Sequence, residues 1–316
     1  MKRISILLLC ILLISCTAEA KSVPTAKPVP SATVVPSSNL SQNKLPEVVS
    51  SPTRRATPVV LPTLTETATL PPGVTPTLEQ DWKTLPIIPT VDTSVREIYE
   101  YGQTLGNDPN SFSIFGDCQS RPEEFFGVFA TDPDLVATLS PELQETVEHF
   151  QGSFNRESPT SRDGTTPGSL LWNQWHQGEF DCSFAETPVE CELRIHRPSF
   201  VIIQVGTHFE SRNTEYLRRI ILQLMDEGVV PILATKADNR EKDERINRDM
   251  SMLAAEYDLP LWNFWAAVSD LPDRGLYTRR DRPLQGPIYL TDEALAIHRM
   301  TGLEALNAVW RVAVNQ

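Results

Sequence analysis

Cys118 has more chemical capacity than any other residue in this sequence. It lies in Gly116-Asp117-Cys118-Gln119-Ser120, directly after the apolar run Phe112-Ser113-Ile114-Phe115. A side chain at the turn from a strand into a helix stands exposed at the sheet edge, and a helix N-terminus there stabilises developing negative charge. A thiolate is a strong nucleophile, and such a terminus lowers a thiol's pKa. Glu123 and Glu124 act in the opposite direction. The competing reading is a tight turn that buries a small thiol. Beyond the N-terminal region the cysteines are Cys118, Cys182 and Cys191. The last two flank the loop-like stretch Glu186-Thr187-Pro188 and suit a local disulfide, which leaves Cys118 free. A bridge to Cys118 instead would exclude a thiolate.

A second polar group follows another apolar run. After Phe200 to Val205 comes Gly206-Thr207-His208-Phe209. His208 could take a proton from a neighbouring thiol. It could also donate an N–H to a developing oxyanion, a contact worth about 3 kcal/mol in a transition state. A structural hydrogen bond within the loop competes with both roles. After a third run, Val229 to Ala234, come Lys236 and Asp238. Asp238 or Asn239 reads mainly as a helix N-cap, and Lys236 could hold an anionic group. His149, His176 and His196 have no supporting constellation. Trp172, Trp175, Trp262 and Trp265 read as core or capping residues. There is no metal-ligand spacing, no phosphate-cradling glycine loop and no dinucleotide fingerprint, so no cofactor is expected.

These residues need a scaffold that brings strand ends together. The three apolar runs read as strands, with Leu259 to Phe264 a fourth. Leu217, Ile220, Ile221, Leu224 and Met225 recur at helical spacing and Gly228 stops them; Ile246, Met250, Leu253 and Tyr257 repeat the pattern. A last helix runs from Asp292 into Val312. Val- and Ile-rich strands alternating with helices imply an α/β fold, a mainly parallel sheet covered on both faces in three layers. Ligands of such sheets bind beyond the carboxyl ends of the strands, where Cys118, His208, Lys236 and Asp238 all fall.

The order of these blocks resembles the SGNH (GDSL) hydrolase superfamily. Its first block reads Gly-Asp-Ser, and Cys118 stands at the serine. Its third reads Gly-x-Asn-Asp, and His208 and Phe209 stand at the last two positions. The resemblance implies a flavodoxin-like α/β/α sandwich and hydrolysis of esters, thioesters or acetyl groups on polysaccharides. It also implies a second-block glycine that completes an oxyanion hole, for which Gly168 is the candidate and Gly164 the alternative. The last block, Asp-x-x-His, aligns with Gly286-Pro287-Ile288-Tyr289-Leu290-Thr291. Tyr289 then replaces the histidine and Gly286 the aspartate. The nearest downstream histidine is His298, with Asp292 nearly two helical turns earlier. His298 is a candidate base, although a histidine on a helix face more often has a structural role.

Composition bounds the rest. Met1-Lys2-Arg3 followed by the short apolar stretch Ile4 to Ile14 has the layout of a secretory signal. Leu13-Ile14-Ser15-Cys16 resembles a bacterial lipobox, with Cys16 the lipidated mature N-terminus. The expectation is a signal over 1–15, a tethered stalk over 16–90 and the hydrolase-like domain over 91–316. The stalk is rich in Pro, Thr, Ser and Val and buries too little apolar surface to offset its ordering entropy. As a flexible chain it spans about 50 Å. Several acyl chains anchor stably where one does not. The expected place is therefore the cell envelope, on the outer face of a membrane. A net charge of −13 without a basic stripe argues against nucleic-acid binding. The expected partner is a small-molecule or glycan ester.

Overall fold

The computed structural model describes residues 81–315. The signal segment, Cys16 and the stalk as far as residue 80 lie outside the described residues. The described fold nevertheless begins earlier than composition suggests, because Trp82 and Pro89 are buried within a segment that the stalk was expected to include. Trp82 is buried, with its ring edge-on to Trp265 at 5.0 Å. The Asn263 side-chain amide donates to the carbonyls of Trp82 (2.8 Å) and Leu85 (3.0 Å). A single tryptophan with satisfied backbone partners overrides the proline-rich composition around it.

The chain then forms α1 (Ser94–Leu105) and strand β1 (Asp108–Gly116), followed by a 3-10 turn over Cys118–Ser120. Three helices follow, α2 (Val128–Thr131), α3 (Pro133–Thr138) and α4 (Pro141–His149). After α5 (Pro167–Leu170) and α6 (Pro188–His196) the regular α/β pattern sets in. It runs through β2 (Pro198–Gln204), α7 (Asn213–Asp226), β3 (Val230–Ala234), α8 (Arg245–Glu256), β4 (Leu261–Trp262) and α9 (Phe264–Ala267). A small hairpin, β5 (Leu276–Tyr277) and β6 (Tyr289–Leu290), precedes the terminal helix α10 (Asp292–Ala313).

The four main strands form one parallel sheet in the order β1-β2-β3-β4, with Phe112 opposite Phe200, Phe200 opposite Val230 and Leu233 opposite Leu261. Side chains alternate along each strand, so the sheet feeds two cores. Phe112, Ile114, Phe200, Ile202 and Ile232 pack with Val147 of α4 and Leu303, Leu306 and Val309 of α10. Phe115, Val201, Ile203 and Leu233 pack with Leu217, Ile220 and Leu224 of α7 and Met250 and Leu253 of α8. Each large side chain so buried contributes about 1.5–3 kcal/mol of hydrophobic free energy. This is the three-layer α/β/α arrangement that the alternation of strands and helices implies.

Local chemistry explains where elements stop. The fourth strand is shorter than the apolar run Leu259 to Phe264. Asn263 accepts a hydrogen bond from Ala266 N at 3.3 Å, and this cap turns the chain into α9. Helix α6 starts on a reciprocal capping box between Thr187 and Glu190. Cys182 and Cys191 form a disulfide, with Cα atoms 5.3 Å apart, that ties the irregular stretch before α6 to that helix. Cys118 is a free thiol.

Candidate functional site

The turn after β1 can form only because residue 116 is glycine. A Cβ there would meet the Ser120 side chain at 2.2 Å. Asp117 then directs two backbone bonds. One oxygen accepts from Gln119 N (3.3 Å) and caps the 3-10 turn, and the other accepts from Thr207 N (3.1 Å) in the loop after β2. Asp117 is fully buried. Burial first, and then the nearby Asp238, push its pKa up to about 6, against the two N–H donors and Lys236. The turn holding Cys118 is one 3-10 turn of three residues rather than a helix. The thiol is partly buried. Burial, followed by Asp117, Asp163 and Asp238, pushes its pKa up, where a strand-to-helix nucleophile requires it to go down.

The ends of β2 and β3 build a buried polar centre beside that turn. Lys236 Nζ donates to Asp238 Oδ1 (2.8 Å) and Glu241 Oε2 (2.6 Å), and Thr207 Oγ1 donates to Asp238 Oδ2 (2.9 Å). Asp238 is therefore a member of a buried ion network, more than the cap its position suggests. The ammonium of Lys236 is saturated by two carboxylates and the Asp238 carbonyl (3.0 Å) and holds no external anion. His208 is partly buried with Nδ1 unpartnered. Its pKa is lowered by burial and Arg240, against Asp238 and Asp163. Asp163 and Asp238 thus act on both His208 and Cys118, which puts the two at the same end of the sheet. Among the described residues, no hydrogen bond joins them.

The remaining candidates go to different places. His298 is fully buried on α10, with its ring 4.2 Å from that of Phe125, 5.3 Å from Trp262 and 4.5 Å from Phe264. Its Nε2 lies 2.5 Å from the Gln204 amide nitrogen, and Ser120 Oγ donates to Gln204 Oε1 at 2.9 Å. Burial lowers its pKa to about 3. It is a core residue, because the α10 face that carries it is the face that covers the sheet. Gly168 N donates to a carboxylate oxygen of Glu210, and a Cβ at Gly168 would strike that same side chain. Its N–H is occupied, so it offers no oxyanion donor. Gly164 adopts φ +82° and faces Trp175. Trp262 is core, whereas Trp172 is 52 % exposed rather than packed.

Tyr289, by contrast, shares a cavity with Cys118. The cavity has a volume of about 160 Å³, and its walls include Cys118, Arg121, Asp163, Arg279, Arg282 and Tyr289. Arg121 Nη1 bonds Asp163 Oδ1 at 3.1 Å. The Tyr289 hydroxyl donates to Gln285, and the Arg279 guanidinium lies over its ring at 5.2 Å. Sequence reasoning passed over the arginines, although Arg279-Arg280-Asp281-Arg282 is an unusual basic run in so acidic a chain. Among the described residues, no group of three or more His, Cys, Asp or Glu is placed to hold a metal ion. The arrangement can surround a small polar group with hydrogen-bond donors. It does not prepare a thiolate.

No protein-family model and no curated protein matches the chain. Among solved structures, it is similar to a GDSL-like lipase from Bacteroides thetaiotaomicron, at 13 % identity and a TM-score of 0.39, over 68 % of this chain and 97 % of the other. It is also similar to an acetylxylan esterase from Geobacillus stearothermophilus, at 15 % identity and a TM-score of 0.40, over 64 % and 94 % of the two chains. A psychrotrophic esterase from Pseudoalteromonas gives 15 % and 0.37, over 62 % and 96 %.

Proposed function

We propose that this chain carries an SGNH-hydrolase-type domain that works as a binding module. It holds a small polar ligand, a sugar or a sugar ester, in the cavity beside Cys118. A lipid on Cys16 tethers it at the cell envelope. The observation that carries this reading is the setting of Cys118. Burial, and then the charges of Asp117, Asp163 and Asp238, oppose ionisation of its thiol, which lines a cavity walled by arginine and tyrosine. Ionised carboxylates around a sulfur raise the cost of forming a thiolate, while guanidinium and phenol groups are ready-made partners for hydroxyl and carbonyl oxygens. The cavity is the size of one sugar ring and too polar for a long acyl chain.

A second reading, a cysteine-dependent ester hydrolase, is favoured by one observation. His208 has a buried, unpartnered Nδ1 and shares Asp163 and Asp238 with Cys118. A ligand that drew His208 toward the thiol would supply a base.

The two readings separate in one experiment. The full-length protein and Cys118→Ala are incubated with short-chain acyl esters and acetyl-sugar esters, and turnover, intact mass and ligand binding are followed together. Binding without turnover, retained in Cys118→Ala, is the expected result. Turnover with an acyl adduct of the wild type that is lost in Cys118→Ala would replace the binding module with the hydrolase. The anchor is tested by labelled palmitate, which should enter the wild type and not Cys16→Ala.

A further inference from the structure

Resting on that reading of the cavity, we infer that its ligand carries an oxyanion, a carboxylate or a phosphate, gripped by Arg279 and Arg282. The hairpin gathers positive charge at one point of the wall. Tyr277 and Tyr289 face each other across β5 and β6, with ring centroids 5.9 Å apart, and both line the cavity with Cys118. Two guanidinium groups converge on Tyr289. Arg279 covers its ring, and Arg282 Nη1 reaches its hydroxyl at 3.5 Å. Two guanidiniums at one phenol repel each other, and the exposed Asp281 carboxylate offsets only part of that repulsion.

The protein supplies only part of that anion. Arg279 pairs with Asp281 at 2.7 Å, but both partners are well exposed, and a pair of this kind is worth little and exchanges readily. Arg282 makes no close ion pair among the described residues, and the neighbouring Asp281 feels its charge only weakly beside that of Arg279. Of the acidic groups in the wall, Asp163 is held by Arg121, and the charge of Glu124 acts on Arg299, whose pKa burial lowers and Glu124 partly restores. Arg121 is thereby committed to Asp163 and to Glu123. The two hairpin arginines remain for the ligand. Arginine is the side chain suited to this task, because its planar fork matches carboxylate and phosphate oxygens with paired hydrogen bonds. The basic run is placed where it works against the rest of the molecule. With a net charge of −13, the protein as a whole repels anions, so a local excess of arginine sets specificity at short range rather than steering from a distance.

The test uses the full-length protein and calorimetric titration with three sugars of one size: glucose, glucuronate and glucose 6-phosphate. The variants are Arg279→Gln, Arg282→Gln and the pair, each checked for unchanged thermal unfolding, since both side chains are exposed enough to be replaced without disturbing the core. The expected result is that at least one charged sugar binds about tenfold or more tighter than glucose, a difference of about 1.4 kcal/mol. Each single variant should lose part of that preference, and the double variant should bind all three sugars alike. Preference for glucuronate identifies a carboxylate ligand, and preference for glucose 6-phosphate a phosphate. Equal binding of glucose and both anions by the wild type would overturn the inference and leave the binding module standing. Failure of all three sugars to bind would overturn both.

Discussion

Cys118 and His298 are the residues that a hydrolase would have to unite, and the fold places them in different media. Cys118 sits at a strand end in a cavity of charged and hydroxyl groups. His298 is enclosed by Phe125, Trp262 and Phe264, with the Gln204 amide as its polar neighbour. Burial disfavours the charged form of each, yet the consequences differ. At Cys118 the surrounding carboxylates add to the effect, and the thiol stays protonated in a space that a ligand can enter. At His298 burial by aromatic rings dominates, and a neutral imidazole becomes part of the packing. A residue type therefore announces chemistry only together with its medium, and here one medium suits binding and the other suits stability.

The largest effect that would break this comparison is on folding. His298→Ala leaves a hole among three aromatic rings and should cost about 3 kcal/mol in denaturant unfolding. Cys118→Ala, at a partly exposed turn, should cost no more than about 1 kcal/mol. Equal costs would place the two residues in one class.

A second effect sharpens the comparison through pH. The pKa of His298 is about 3 in the folded protein, so below its ordinary value of 6.5 the unfolded chain takes up a proton that the native state refuses. The stability is complete above pH 6.5 and is lost as pH falls toward 3, by up to about 1.4 kcal/mol per pH unit. His196, lowered to about 4, has the same sign. Asp117, raised to about 6, has the opposite one. Its contribution is complete below pH 3.8 and is lost as pH rises through 6. Chemical unfolding of His298→Phe between pH 4 and 6 should therefore show a shallower acid loss than the wild type. An unchanged slope would mean that His298 titrates normally and is not enclosed.

The smallest effect concerns the thiol. Alkylation of Cys118 by iodoacetamide at pH 8 should be slower than in the unfolded chain by about tenfold or more, because only the thiolate reacts. Asp163→Asn should raise the rate a few-fold by removing one of the carboxylates that oppose ionisation. A native thiol that reacts faster than the unfolded one would restore the hydrolase reading.

Much of the framework was legible in the residues themselves. The apolar runs around residues 112, 201 and 232 became three adjacent parallel strands, and the three-and-four spacing of Leu217 to Met225 became α7, because period-2 and period-3.6 apolar patterns are local properties. The glycine-aspartate turn was equally visible, since the steric demand at Gly116 and the capping by Asp117 act within a few residues. Other features arose only on folding. Composition could not show that Trp82 docks beside Trp265, because their partnership spans most of the domain. It could not show that Glu210 occupies the Gly168 N–H, that α10 turns His298 into the core, or that Arg279 and Arg282 line one cavity with Cys118. Sequence alone determined which residues lie at the ends of strands, since strand, turn and helix are written in short-range patterns. Tertiary structure alone decided which of them meet and in what dielectric, because proton affinity and contact depend on neighbours that the chain brings from far away.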